Sequence, residues 1–292
     1  MVQKILIIGG TSYGNSDLFM ESKIQERETE YGYVRFKELE TKGCVVRFIP
    51  RHYSLGTKQG TEGTFRHNKD PRFVNYAGNI FLGVIDFNPD LILTVSACGS
   101  LTNKYQPGSI VLAADSFDNT KERPQRSFFG DRVVHTQPNP LYCQELAEEI
   151  LTRNVDPSLL NRLDSPLEIY LRGRSVCING PCFSTRMESE IYKQWGANIV
   201  EMTSFPEAYL IREAQSRLRE CRTLPSHHAR LWTVTDLDSE EGEHRAEQNS
   251  INEISKRIAK GLDQLLLNLI EKPLVITEQC KCDISPPIIL NL

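Results

Sequence analysis

Groups that bind small anions follow three apolar segments in the first third of the chain. Residues 9–14 form a glycine-rich turn after the first segment, Arg51 and His52 follow the second, and Ser96 and Ala97 follow the third. Backbone N–H groups freed by glycine, a guanidinium fork and hydroxyl groups are good donors to phosphate oxygens. The pattern therefore predicts a small-anion site assembled from three loops.

The first of these turns, GGTSYGNS, matches neither of the common nucleotide-binding patterns. A dinucleotide fingerprint that starts at Gly9 needs a glycine where Thr11 stands, and a P-loop needs a lysine where Asn15 stands. Without that lysine a triphosphate would be poorly neutralised. The turn is either a site for a smaller anion or a tight turn without a ligand.

Four later residues offer further binding chemistry: an aromatic platform, an oxyanion donor and two carboxyl groups. Phe183 follows a glycine-proline turn and is either an aromatic platform or part of the core. Thr203 ends an apolar run and offers another hydroxyl group. Asp236 and Asp238 end the last apolar run, where they either face a ligand or remain solvated. If Asp236 is partly buried, its pKa rises and it can donate a proton.

Composition excludes several classes of function. The 292 residues carry a net charge of −4, with 39% hydrophobic and 25% charged residues, which is ordinary for a globular protein. This balance gives no footprint for nucleic acid or an anionic membrane surface. The sequence contains no apolar run of membrane-spanning length and no secretory signal. We expect a cytoplasmic protein, with the nucleus as an alternative, and a small-molecule ligand.

The eight cysteines are scattered through the predicted strands and helices, as reduced structural cysteines are. Cys280 and Cys282 form a C-x-C pair, and His227 and His228 are adjacent. Neither pair has a second pair of metal ligands near it in the sequence, so we expect no metal site. The two histidines are expected to be exposed to solvent.

Strands and helices alternate along the chain. Apolar, β-branched runs predict strands at 4–8, 44–49, 91–95, 109–113, 174–178, 199–202 and 231–234. Helical patterns lie at 75–86, 140–153, 185–195, 205–216 and 246–270, and Ser204 and Glu207 have capping-box spacing. This order predicts an α/β fold with a largely parallel or mixed sheet, which binds ligands beyond the carboxyl ends of its strands.

Several segments together resemble the trimeric purine nucleoside phosphorylases, and within them the methylthioadenosine phosphorylase branch. They include IIGGTSYG, PRHY, SACGSLTNKYQPGSIV, NGPCFSTRMES, WGANIVEMTSFPEA and TVTDLD. The resemblance implies a single-domain mixed β-sheet, partly barrel-like and flanked by helices, over residues 1–272, followed by a C-terminal tail at 273–292. It also implies a homotrimer that uses orthophosphate as co-substrate, without a cofactor or metal.

The resemblance implies phosphorolysis of S-methyl-5'-thioadenosine to adenine and 5-methylthioribose 1-phosphate. The family's phosphate site matches Thr11, Arg51, His52, Ser96, Ala97 and Thr203, with Arg51 and His52 supplying the positive charge. Its nucleoside site matches Met202 under the ribose, Phe183 and Ser184 at the base, Asp238 at the exocyclic amine, and Asp236 as the acid at purine N7. The implied catalytic residues are Asp236, Ser96 and His52.

The sugar's 5' side involves four further positions. His67 lies in a loop that approaches it, Ile251 and Ile254 match an apolar pocket for the methylthio group, and His135 matches a residue from the neighbouring subunit. Such a pocket prefers a thioether over a hydroxyl group by only about 1 to 3 kcal/mol. A broader phosphorylase acting on adenosine or inosine, and a weakly active nucleoside-binding relative, are therefore the alternatives.

Two positions favour adenine as the base. Phosphorylases of 6-oxopurines carry Glu where Ser184 stands and Asn where Asp236 stands. A carboxylate accepts from the amino group of adenine, whereas the oxygen of hypoxanthine or guanine would face a like charge.

The chain also departs from the family pattern. Cys182 replaces a basic residue and Glu201 replaces an asparagine before Met-Thr, where a carboxylate would weaken anion binding or accept from the ribose. Ser12 replaces a glycine. Residues 53–64 and 216–229 look like insertions.

Overall fold

The structure, a computed structural model, describes most of the chain. The residues outside this description are 1, 11–12, 14–15, 53–69, 125, 131, 133, 155–166, 219–225, 239–247, 275, 277–279, 281, 283–287 and 290–292, together with the side chains of 248–251 and 289. Within the described residues, no helix is long and apolar enough to cross a membrane.

The described elements alternate between strands and helices. The strands are β1 (Gln3–Gly9), β2 (Gln25–Thr29), β3 (Gly32–Glu40), β4 (Cys44–Pro50), β5 (Leu91–Ser100), β6 (Ile110–Asp118), β7 (Val134–His135), β8 (Ile169–Cys177), β9 (Ile199–Glu201), β10 (His227–Leu237) and β11 (Ile288–Ile289). The helices are α1 (Tyr76–Ile80), which continues as a π-helical segment over Phe81–Asp86, α2 (Gln144–Asn154), α3 (Arg186–Gln194), α4 (Glu207–Leu218) and α5 (Gln248–Glu271).

The main described sheet has nine strands in the order β10-β6-β8-β9-β5-β1-β4-β3-β2. β10 also pairs with β5, so that β5, β9, β8, β6 and β10 form a closed ring. This confirms the predicted mixed, partly barrel-like sheet. β1 runs parallel to both β4 and β5, and β10 runs parallel to β5. The carboxyl ends of these four strands therefore lie at one edge and bring their following loops together.

Residues 5–8 of strand β1 are apolar throughout because both faces of the strand are buried there. Ile5 and Ile7 pack into one hydrophobic cluster and Leu6 and Ile8 into another, and all four side chains are fully buried. Strands buried on both faces read as continuous apolar runs rather than alternating ones. The central strands of the sheet were predictable for this reason.

All seven predicted strands and all five predicted helices are present, with shifted ends. The sequence missed β2 and β3, because β2 (QERET) is almost wholly exposed and β3 contains glutamate and lysine, which are uncommon in strands. It also missed β7 and β11, which are two residues long and pair with each other.

The expectation of two exposed histidines at 227–228 was wrong. Strand β10 begins at His227 rather than at Leu231, and His227 and His228 are 7% and 2% exposed. His227 and His228 pair with Leu91 and Ile92 of β5, so both histidines belong to a central strand of the sheet. Within segment 216–229, α4 reaches Leu218 and the new strand starts at His227, so both ends of the segment belong to regular elements.

Candidate active site

A pocket of about 310 Å³ lies where the segments that follow β1, β4, β8 and β9 meet the carboxyl-terminal ends of β5 and β10. Ten of the predicted site residues line it, namely Arg51, His52, Ser96, Ala97, Phe183, Ser184, Met202, Thr203, Asp236 and Asp238. The fold therefore gathers residues from positions 51 to 238 into one cavity, as the carboxyl-end rule predicts.

One end of the pocket carries a pair of hydroxyl groups. Ser96 Oγ and Thr203 Oγ1 are 2.9 Å apart and hydrogen-bonded to each other. Arg230 donates from the same nitrogen to both, at 2.6 Å to Ser96 and 2.8 Å to Thr203. Arg230 is a donor only, so it occupies oxygen lone pairs and uses neither hydroxyl proton. Thr203 Oγ1 donates to Glu201 at 3.3 Å, and one hydroxyl group of the pair donates to the other. An acceptor in the pocket therefore has to replace one of these two bonds.

Arg51 lies beside this pair and is held by four contacts. Its Nε and Nη2 donate to Glu207 at 2.6 and 2.9 Å, its Nη1 donates to the carbonyl of Val95 at 2.8 Å, and its Nη2 donates to that of Ile8 at 3.3 Å. The described contacts leave one N–H of Nη1, which lies close to Gly10. Arg51 therefore offers a directed donor, and Glu207 balances its charge.

Glu207 does not form the predicted capping box. The backbone N–H of Ser204 donates to Glu201 instead, and Glu207 accepts from both Arg51 and Arg230. Its carboxylate is fully buried between the two guanidinium groups. Arg51 is expected to supply positive charge to the phosphate site, and in this structure Glu207 pairs with that charge, so the site offers oriented donors.

Glu201 also differs from its expected role. Its carboxylate accepts from the backbone N–H groups of Thr203 at 2.6 Å and Ser204 at 2.9 Å, and from Arg230 at 3.0 Å. Burial would raise the pKa of Glu201, but Arg230 and the groups of Ser204 and Thr203 outweigh burial and lower it. Glu201 is therefore ionised and paired, so it adds no uncompensated charge to the anion site.

The other end of the pocket holds two carboxyl groups. A β-bulge at Thr235 shifts the register of β10 against β5, so that Asp236 stands opposite Gly99. A Cβ on Gly99 would lie 3.0 Å from Asp238 Cβ and 3.2 Å from Asp236 Oδ2. Gly99 therefore makes room for both aspartates.

Both aspartates have raised pKa values. Burial raises the pKa of Asp236, with a further contribution from Asp238, against a lowering by the hydroxyl of Thr235 at 2.7 Å. Burial also raises the pKa of Asp238, against the hydroxyl groups of Ser189 and Ser184. A carboxyl group with a raised pKa at a pocket wall is suited to proton donation.

The wall between the two ends is formed by Phe183 and Met202. Phe183 is 75% exposed, so it belongs to the pocket rim rather than the core. A capping box between Thr185 and Glu188 starts α3 directly after it. Cys182 is exposed next to Phe183.

Arg123 fixes this wall from behind, and the sequence did not single it out. It is 4% exposed and donates to the carbonyls of Ile178, Asn179 and Met202, at 3.0, 3.0 and 2.7 Å. These carbonyls belong to the two segments that carry the pocket wall. Arg123 therefore positions both segments by one guanidinium group.

Arg230 was also missed, although it touches more of the site than any predicted cation. It lies inside an apolar strand, and its partner Glu201 is 29 positions earlier. Arg230 directly precedes the predicted strand 231–234, where a charged residue is a weak signal by itself. Its coincidence with the unusual Glu201 would have indicated a buried pair.

Five predicted residues are not placed in this pocket. Thr11 and His67 lie outside the described residues, as do Ser12 and segment 53–64, and the side chain of Ile251 is likewise outside them. His135 is exposed on β7, and Ile254 packs half-buried against the cluster that contains Ile5. Their roles stay predictions.

Comparison with known proteins identifies relatives along most of the chain. A model of the phosphorylase superfamily matches residues 79–271. S-methyl-5'-thioadenosine phosphorylase of Nitrosopumilus maritimus is 32% identical over 285 residues, which cover 96% of this chain and 95% of the relative. The enzyme of the same name from Thermofilum pendens is 34% identical over 214 residues, covering 73% and 74% of the two chains.

Solved structures give the same result for the fold. Methylthioadenosine phosphorylase from Schistosoma mansoni in complex with adenine superposes with a TM-score of 0.75 at 26% identity, over 92% of this chain and 91% of the other. A mutant of adenosine/methylthioadenosine phosphorylase from the same organism, in complex with methylthioadenosine, gives 0.74 at 26% identity over the same shares.

Proposed function

This chain belongs to the phosphorylase superfamily and, within it, to the S-methyl-5'-thioadenosine phosphorylases, and from this premise we propose that it converts S-methyl-5'-thioadenosine and orthophosphate to adenine and 5-methylthioribose 1-phosphate. The observation that carries the proposal is one pocket with anion donors at one end and two carboxyl groups with raised pKa values at the other. The enzyme is accordingly a pentosyltransferase of methionine and purine salvage.

The reaction needs these two ends at a fixed separation. The C1'–N9 bond breaks with its electron pair leaving on the purine, a C1'–O bond forms to phosphate, and Asp236 gives its proton to purine N7. The sugar is cationic in between, so a phosphate held against its underside stabilises that charge and also attacks it. Phosphate is the nucleophile in this reaction, and water does not take part.

Phosphate binding rests on oriented donors. Ser96 and Thr203 can donate to phosphate by exchanging the bonds they make to each other and to Glu201, and the described contacts leave one N–H of Arg51 for it. Glu201 and Glu207 are paired with Arg230 and Arg51. The two arginines and two glutamates are buried together and carry no net charge. They hold these donors rigidly, which lowers the entropic cost of ordering them around the anion. His52, which is buried and lines the same pocket, completes the phosphate site.

Recognition of adenine rests on Asp236 and Asp238. Protonated Asp236 donates to N7, and Asp238 accepts from the exocyclic amine. Ser184 stands beside them and leaves room for the base, whereas a glutamate there would place a third carboxylate next to Asp238. Phe183 stacks on the base from the rim.

The proposal includes a homotrimer in the cytoplasm, without a resident cofactor for the reaction. His135 does not line the pocket within the described residues of the single chain, and the proposal places it in the 5' pocket of a neighbouring subunit. Ile254 packs against the cluster that contains Ile5. The seven described cysteines are free thiols, as expected in a reducing compartment.

Product analysis with and without phosphate tests the reaction class. Purified protein is incubated with S-methyl-5'-thioadenosine, and adenine and the sugar phosphate are quantified. We expect equal amounts of both products, formed only with phosphate. Adenine release that is independent of phosphate would replace the phosphorolysis proposal with hydrolysis.

A further inference from the structure

Three cysteines and one histidine meet in the core at the end of β10 opposite to the active site. Cys143, His227, Cys280 and Cys282 are 1%, 7%, 6% and 3% exposed, and their ligand atoms all lie within 4.8 Å of one another. Each comes from a different place in the sequence except for the Cys280–Cys282 pair. The fold therefore completes a set of soft ligands that no local motif contains.

The distances within this cluster suit a tetrahedral metal site. Cys143 Sγ lies 3.5 Å from both His227 Nδ1 and Cys280 Sγ, and Cys280 Sγ lies 3.1 Å from Cys282 Sγ. Zinc–sulfur bonds of about 2.3 Å place ligands about 3.7 Å apart in a tetrahedron. The three thiols are free and not joined as disulfides.

From this geometry we infer that the chain binds one structural Zn²⁺ ion through Cys143, His227, Cys280 and Cys282. Four protein ligands fill a tetrahedral shell and leave no open position, which is the arrangement of structural rather than catalytic zinc. The three thiols lose their protons to solvent on binding, so the ion and its ligands carry one negative charge.

Surrounding groups match that charge. The backbone N–H of Leu146 donates to Cys143 Sγ at 3.3 Å, and that of Cys282 donates to Cys280 Sγ at 3.4 Å. Such N–H bonds to ligating sulfur orient the ligands of metal sites. Arg212 is 3% exposed and within electrostatic reach of Cys143 and Cys282. Its Nε and Nη2 have no hydrogen-bond partner in the described part of the chain.

The ion would fasten the C-terminal tail to the body of the protein. Cys143 directly precedes α2, His227 begins β10, and Cys280 and Cys282 follow α5. Farther along the tail, Ile288 pairs with His135 on β7. The zinc therefore joins the tail to two elements of the core.

The site is separate from the proposed reaction. His227 and Asp236 are nine residues apart on one strand, which at about 3.3 Å per residue places them about 30 Å apart. The sequence predicts no metal because Cys280–Cys282 and His227–His228 each lack partners nearby in the chain. The inference does not depend on the substrate.

Metal analysis of the native protein tests the inference directly. The full chain is produced in zinc-supplemented medium, purified without a histidine tag or chelator, and analysed for metal and for free thiols. We expect about one zinc per chain, released by a strong chelator with a fall in Tm. No bound zinc, with all thiols reduced or with a disulfide among these cysteines, would overturn the inference.

Variants separate this cluster from the other thiols. The double variant Cys280→Ser/Cys282→Ser should lose the zinc, whereas the control Cys44→Ser/Cys177→Ser alters two buried cysteines elsewhere and should keep it. If the first variant does not fold, the site is tested by exchanging Co²⁺ into the wild-type protein and recording its absorption spectrum. Tetrahedral thiolate cobalt gives intense visible and charge-transfer bands, and their absence would contradict the site.

Discussion

The guanidinium group of Arg230 lies 3.0 Å from the carboxylate of Glu201, and both side chains are fully buried. The same nitrogen of Arg230 also donates to Ser96 and Thr203. A departure from the family pattern at Glu201 is therefore matched by a cation that contacts both hydroxyl groups of the proposed phosphate site. Arg230 is a positioning residue, because it acts on phosphate through these hydroxyls.

Removing Arg230 alone should destabilise the protein. In Arg230→Met the carboxylates of Glu201 and Glu207 lose a partner inside the core, and breaking a buried pair costs about 3 to 5 kcal/mol. Denaturant unfolding of the variant and the wild type measures this loss. A loss below about 1 kcal/mol, the size of an exposed pair, would contradict the buried pairing.

The double variant Glu201→Gln/Arg230→Met separates stability from phosphate binding. It removes one charge of each sign, so most of the stability should return. The hydroxyl groups of Ser96 and Thr203 still lack the donor that orients them. The KM for phosphate should therefore stay raised by about tenfold or more, the effect expected from losing a hydrogen bond to a charged group. A KM that recovers together with stability would show that Arg230 is only structural.

Asp236→Asn should depress turnover much more than phosphate binding. The amide cannot supply the proton that the leaving purine needs, and general acid catalysis contributes about 100- to 10,000-fold to rates. Steady-state kinetics with S-methyl-5'-thioadenosine measure kcat, and KM for phosphate should change little. The variant Asp115→Asn, which changes an exposed carboxylate outside the pocket lining, is the control. Unchanged turnover in Asp236→Asn would remove Asp236 from the acid role.

The preference for adenine over a 6-oxopurine should depend on the side chains of Ser184 and Asp236. Ser184→Glu/Asp236→Asn installs the residues of the 6-oxopurine phosphorylases, so the carboxyl group proposed to donate to adenine N7 is replaced by an amide, which can donate to a 6-oxo group. The ratio of kcat/KM for inosine to that for S-methyl-5'-thioadenosine should rise at least about tenfold, equivalent to about 1.4 kcal/mol. An unchanged ratio would place base selection elsewhere in the pocket.

Stability should depend on pH through Asp236. Its pKa is raised by burial in the folded protein, so ionising it costs stability as pH rises from the ordinary aspartate range through the raised value. Asp236→Asn removes this cost, so the Tm of the ligand-free variant should exceed that of wild type at pH 7 by more than at about pH 4, near the ordinary aspartate pKa. A difference in Tm that stays constant from about pH 3 to pH 8 would contradict a raised pKa.

The sequence predicted the site best at the carboxyl ends of the apolar strands. Arg51 directly follows β4, whereas Ser96 and Asp236 lie inside β5 and β10, because both strands continue beyond their apolar runs. Parallel pairing of these strands with one another and with β1 brings their carboxyl ends to one edge. The resemblance supplied the roles of these residues. The strand pattern and the family resemblance were both read from short segments of the chain.

Contacts between distant residues could not be predicted in this way. Arg230 needs Glu201 and Glu207 to be recognised as part of the site, and Cys143 needs His227 and the tail cysteines to form a ligand set. Each of these contacts depends on the order of the strands in the sheet, and the hydrophobic periodicity of the sequence does not predict that order. The exposed hairpin of β2 and β3 was missed because little of it packs against the core.

The central claim is tested most directly by comparing three nucleosides at saturating phosphate. Purified protein is given S-methyl-5'-thioadenosine, adenosine or inosine, and kcat/KM is obtained from the release of free base. We expect S-methyl-5'-thioadenosine to be preferred, adenosine to be slower by a factor equivalent to about 1 to 3 kcal/mol, and inosine to be the poorest substrate. Preferential release of hypoxanthine from inosine, or no free base from any of the three, would contradict the account.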